Sequence, residues 1–98
     1  MKEKILIVED EIGIATFLKQ GLEEEGYEII LANNGEEGLA KAIAQKPDLI
    51  LLDWMLPKLS GLDVCLSFRE ENTTTPIIFL TAKDTVQETI EGLKAGAN

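Results

Sequence analysis

The chain has 98 residues, enough for one domain with a single core, and its 45% hydrophobic and 28% charged residues are those of an ordinary globular protein. Eighteen acids against nine Lys and Arg leave a formal net charge of −9, which argues against a protein that grips nucleic acid through its own surface. One cysteine, Cys65, excludes an intramolecular disulfide, and no apolar run is long enough to span a bilayer. With no signal-peptide pattern at the start, the expected location is cytoplasmic.

The first element is "KILIV" (4–8), an apolar run that ends abruptly in Glu9, Asp10 and Glu11. Its apolar residues are continuous rather than alternating, which predicts a strand covered on both faces, as in a parallel sheet. Ile14, Phe17, Leu18, Gly21 and Leu22 follow at offsets of three and four, the stripe of an amphipathic helix that Gly26 ends. "YEIILA" (27–32) is a weaker strand, expected nearer an edge. "NNG" at 33–35 makes a turn, and Leu39, Ala40 and Ile43 mark a second helix that Pro47 stops. "DLILLD" (48–53) is the third strand, and Pro57 and Gly61 bracket the loop after it. In "GLDVCLSFREE" Val64, Cys65 and Phe68 face inward from a helix, so Cys65 is expected to be a buried, inert thiol.

Pro76 opens the fourth strand, "PIIFLT" (76–81), also expected to be buried on both faces. Val86, Ile90 and Leu93 mark a last helix, with Gly96 as its cap. Strand and helix alternate throughout, which predicts an α/β fold in one domain over residues 1–98: an open, doubly wound parallel sheet. With no strand after the last helix, strand four would lie at an exposed apolar edge. The chain is therefore expected to be a fragment, incomplete at its C-terminus, or to have a partner covering that side.

Ligands of open α/β sheets bind outside the carboxyl ends of the strands. Strand one ends at Glu9 and Asp10, strand three at Asp53 and strand four at Thr81. If these strands are neighbours, at least three carboxylates meet in one crevice. Their physical companion is a hard divalent cation with oxygen ligands, such as Mg2+. Each residue alone has a plainer reading. Asp10 would be the N-cap of the first helix, with Glu9 and Glu11 favoured there by the helix dipole. Asp53 would cap or turn the following loop, and Thr81 would be an ordinary β-branched strand residue.

The pattern "ILIVEDE…DLILLDWMLPKLSGLDV…PIIFLTAKD…GLKAGA" resembles the receiver domain of bacterial two-component response regulators, in order and along the whole chain. The "DWMLP…SGLDV" segment is most similar to regulators of the winged-helix transcription-factor class. The resemblance implies a flavodoxin-like sheet of order 2-1-3-4-5, with the fifth strand and helix absent from this chain. It also implies a phosphorylation switch driven by a sensor histidine kinase. Asp53 is then the phosphoacceptor. Asp10 and Asp53 coordinate Mg2+, Glu9 does so directly or through water, and the backbone carbonyl of Met55 is a further ligand. Thr81 hydrogen-bonds the phosphoryl group, and Ala82 is small enough to leave it room.

A protein of this kind catalyses only its own phosphorylation and dephosphorylation. In the transcription-factor class the receiver dimerises through the helix-four side, and a separate output domain, which these residues do not include, binds DNA. One departure is plain. The family carries a Lys-Pro pair after the fifth strand and a switch aromatic on it, and this chain ends before either. Lys83, two residues after Thr81, is not placed to substitute. Reduced stability or self-association and impaired phosphotransfer are the expected consequences. The alternative is a receiver-like interaction module that is not phosphorylated. A flavin or phosphate binder would need a Ser/Thr/Gly-rich loop where this chain has "EDEIG", and an aspartate-nucleophile phosphatase would need an acid where it has Met55.

Overall fold

The structure is a computed structural model that describes residues 2–80. Seven elements alternate along them: β1 (Lys4–Val8), α1 (Ile12–Glu24), β2 (Glu28–Ala32), α2 (Gly35–Gln45), β3 (Leu49–Asp53), α3 (Gly61–Arg69) and β4 (Ile77–Leu80). Thr81, Ala82, Lys83 and the helix expected from Val86, Ile90, Leu93 and Gly96 lie outside the described residues.

The strands form one parallel sheet in the order β2-β1-β3-β4. Its two faces carry separate apolar clusters because successive side chains of a strand point to opposite sides. Leu6, Val8, Ile50, Leu52 and Ile77 face α2 and α3, where Ala42, Val64, Cys65 and Phe68 complete a fully buried cluster. Ile5, Ile7 and Leu51 face α1, where Leu18 and Leu22 pack over them. The continuous apolar runs of β1 and β3 are thus explained by burial on both faces. The weaker β2 lies at an edge, as its sequence predicts.

The stop signals act at the expected places. Gly26, with φ +96°, ends α1 by donating its N–H to the Glu23 carbonyl, while Tyr27 N–H reaches back to Leu22. This paired arrangement satisfies two carbonyls that a helix end otherwise leaves open. Lys46 ends α2 in the left-handed region, directly before Pro47. The expected turn at 33–35 is instead a helix start. Asn34 Oδ1 accepts the Glu37 N–H at 2.8 Å, and Glu37 Oε1 accepts the Asn33 N–H at 2.8 Å.

Three expectations about which side chains are buried need correction. On α1, Leu18 and Leu22 face the sheet, but Ile14 is 41% and Phe17 75% exposed, and Gly21 faces solvent. The residue buried in the first half of the helix is the small Ala15. On α2, Ala40 and Ile43 are exposed, and the contact face is Gly35, Gly38, Leu39 and Ala42. The reason is steric. Gly38 lies against Val8, where an added Cβ would come within 2.7 Å of a valine methyl, so the smallest residues bring the helix down onto the sheet. On β4, only Ile77 is buried and Ile78 is 43% exposed. Among the described strands β4 pairs on one side only, with β3, and Ile78 lies on the α1 face of that outer strand.

Candidate functional site

The site forms where β1 and β3 end side by side. Val8 is in register with Leu52, so the residues that follow, Glu9 and Asp53, emerge at the same level of neighbouring strands. Backbone bonds hold both ends. Glu9 N–H donates to the Ala32 carbonyl at 3.0 Å, and Trp54 N–H donates to the Leu80 carbonyl at 3.0 Å. The Trp54 and Phe79 rings meet edge to face, 4.9 Å between centroids, which adds packing behind the same corner.

Glu9, Asp10 and Asp53 each bring a carboxylate oxygen within 4.8 Å of the others. Glu9 and Asp53 are buried and Asp10 is exposed. Two backbone donors orient the buried pair. Glu11 N–H donates to Glu9 Oε2 at 3.1 Å, and Met55 N–H donates to Asp53 Oδ1 at 3.3 Å. Removal from water pushes the Glu9 carboxyl up to about 7, against 4.5 ordinarily, and the neighbouring Asp53 carboxylate adds to the rise. Burial also raises Asp53, partly opposed by its contacts with Glu9 and the Met55 N–H, while the Asp10 charge pushes further upward.

The plainer reading of Asp10 as a helix cap fails. The N-cap of α1 is Glu11, whose side chain makes no capping bond, and there is no acid in the first helical turn. The cluster is therefore not explained by helix capping. The acids open onto a cleft of about 820 Å³ lined, among the described residues, by Glu9, Asp10, Glu11, Gly13, Ile14, Phe17, Leu18, Asp53, Met55, Phe79 and Leu80. None of these is a lysine or arginine. A cluster of hard oxygen donors in which burial raises Glu9 and Asp53, with no lysine or arginine on its walls among the described residues, has the donor chemistry that suits Mg2+.

Of the residues singled out from sequence, Glu9, Asp10 and Asp53 converge, and Met55 lies on the cleft wall with a 66% exposed side chain. Thr81 and Ala82 are outside the described residues. Gly61 is more than the loop bracket that the sequence suggests. A Cβ there would run into the Asp53 carbonyl oxygen and come within 2.9 Å of Trp54 Cα, and the Gly61 N–H donates to the Trp54 carbonyl at 3.0 Å. The apolar half of the cleft, with Phe17 and Phe79, was also not apparent as a site, because its residues read as core.

Residues 5–98 match the family profile described as "Response regulator receiver domain". The chain is 50% identical over 98 residues to the alkaline phosphatase synthesis transcriptional regulatory protein PhoP of Bacillus subtilis, covering all of this chain and 41% of that protein. It is 48% identical over 96 residues to the transcriptional regulatory protein PcoR of Escherichia coli, covering 98% of this chain and 42% of the relative. It thus spans about two fifths of the length of these relatives. Among solved structures, the receiver domain of the Francisella response regulator 1452 superposes with a TM-score of 0.92 at 37% identity, over 99% of this chain and 80% of that one. The strand-end acid cluster, the sheet order and these matches agree, and the chain belongs to the response regulator receiver domain family.

Proposed function

We propose that the whole chain, residues 1–98, is a phosphoacceptor receiver domain and that Asp53 takes the phosphoryl group from a phosphohistidine of a sensor histidine kinase. The observation that carries this reading is the meeting of Glu9, Asp10 and Asp53 within 4.8 Å at the ends of two adjacent strands. An Asp53 carboxylate oxygen attacks phosphorus, the P–N bond to the imidazole breaks, and the imidazole leaves with the bonding pair and takes up a proton. Met55 N–H, donating to Asp53 Oδ1, holds the carboxylate in place and leaves its other oxygen free of that bond for the attack.

Glu9, Asp10, Asp53 and the Met55 carbonyl would hold Mg2+, which when bound offsets the charge of the carboxylates and of the transferring group. Thr81 hydrogen-bonds the arriving phosphoryl group and Ala82 leaves space for it. The protein is in this sense a signalling switch and not an enzyme acting on a separate substrate. The added charge of about −1.5 to −2 then biases the helix-four side toward dimerisation. DNA is reached only through an output domain, which these residues do not include, and the domain works in the cytoplasm. Among the described residues no helix is long and apolar enough to cross a membrane.

The test is intact mass after incubation with Mg2+ and acetyl phosphate, beside Asp53→Asn. Gain of one phosphoryl group by the wild type alone is the expected result. No gain in either protein overturns the phosphoacceptor reading for this chain and leaves an interaction module of receiver fold.

A further inference from the structure

Asp53 and Met55 are joined to α3 by a short hoop of chain, residues 54–60, and three features hold that hoop in one shape. At its base the Gly61 N–H closes onto the Trp54 carbonyl, and the bare Gly61 Cα rests on the Asp53 carbonyl. At its crown Leu59 N–H donates to the Pro57 carbonyl at 2.8 Å across Lys58, whose φ of 71° is left-handed. A three-residue turn of this kind is strained and persists only where its surroundings hold it. The third feature comes from another element. Gly35, the first residue of α2, is buried against the crown, and a Cβ added to it would strike the Leu59 carbonyl oxygen and come within 2.7 Å of Leu59 Cβ. Leu59 and Leu56 also pack into the large apolar cluster.

We propose that Gly35 is a positioning residue for the Mg2+ site: it seats Leu59, and through the 54–60 hoop it sets where the Met55 backbone meets the Asp53 carboxylate. Gly35 does not line the acidic cleft itself, so its effect passes entirely through the hoop. The inference rests on the reading of Glu9, Asp10, Asp53 and Met55 as the Mg2+ site. It assigns α2, by way of its first residue, a part in metal affinity that its distance from the acids does not suggest. Groups that orient metal ligands from behind commonly change affinity by about 10–100-fold when altered.

The experiment is titration calorimetry of the full chain with MgCl2, for wild type, Gly35→Ala, Leu59→Ala and Gly21→Ala. Thermal melting without metal is recorded beside it. Gly35 is not in the left-handed region, so alanine suits its backbone, and helix propensity favours the change. Gly21→Ala, at a position with open space around it, is the control. The expected result is Mg2+ affinity about tenfold or more weaker in folded Gly35→Ala, and unchanged in Gly21→Ala. Leu59→Ala, which leaves Gly35 in place but removes the side chain that anchors the crown, should weaken Mg2+ in the same direction. Should Gly35→Ala not fold, Leu59→Ala decides alone. Wild-type affinity in the folded variant overturns the role of Gly35 while the Mg2+ site stands. A wild type that binds no Mg2+ overturns the site reading first and the inference with it.

Discussion

Met55 donates its backbone N–H to Oδ1 of Asp53, two residues earlier, at 3.3 Å. The bond ties one oxygen of the buried carboxylate to the first turn of the loop after β3. The same carboxylate brings an oxygen within 4.8 Å of oxygens of Glu9 and Asp10, where charge on charge in a half-dry crevice is unfavourable.

That disadvantage should be measurable as stability. In EDTA, Asp53→Asn should melt higher than the wild type, because the substitution removes a buried charge and its repulsion by Asp10. A gain of about 1 kcal/mol corresponds to about 4–8 °C for a domain of this size. Saturating MgCl2 should raise the wild type more than the variant and narrow or reverse the order. Equal responses of the two proteins to MgCl2 would count against a metal held by Asp53.

The same crevice gives a pH dependence of known sign. Glu9 titrates near 7 in the folded chain against 4.5 ordinarily, so the folded state keeps this proton to higher pH than the unfolded chain does. Its contribution to stability is complete below pH 4.5 and is lost as pH rises through about 7. Asp53, also raised by burial, acts in the same direction. Metal-free Glu9→Gln should therefore match the wild type more closely at the acid end of this window and become progressively more stable than it toward the neutral end. A melting difference that stays constant across the window would show that Glu9 has an ordinary pKa.

Phe17 and Leu6 test the burial pattern. Phe17 is 75% exposed on α1, whereas Leu6 is fully buried in β1. Phe17→Lys should change urea stability by no more than about 0.5 kcal/mol, and Leu6→Ala should cost about 2–5 kcal/mol. A large loss for Phe17→Lys would mean that this face of α1 is covered.

Cys65 is fully buried in α3, and burial pushes its thiol above the usual cysteine range despite the opposing pull of the Arg69 charge. Reaction with an aromatic disulfide reagent at neutral pH should be at least about tenfold slower in buffer than in urea. Equal rates would place the thiol at the surface.

What the sequence determined by itself is whatever local period and backbone chemistry can express. The apolar runs of β1 and β3, the ends of α1 and α2 at Gly26 and Pro47, and the inward face of α3 were all legible, because each depends on neighbours within a turn or a pleat. The family motif singled out Asp53 as the candidate phosphoacceptor, and the rule that sites lie at strand ends brought Glu9 and Asp10 beside it. The tertiary structure alone decided which part of each helical stripe meets the sheet. Phe17 and Ile43 belong to apolar stripes but face solvent, because Ala15, Gly38 and Ala42 make the contacts and a close approach rewards small residues over hydrophobic ones. It alone also decided the electrostatics of the site. Glu9 and Glu11 are both acids in one short run, yet one is buried and titrates near 7 while the other is exposed at the N-cap position of α1, where its side chain makes no capping bond. The cost of charging a carboxylate depends on what the rest of the fold puts around it, and no local pattern carries that information.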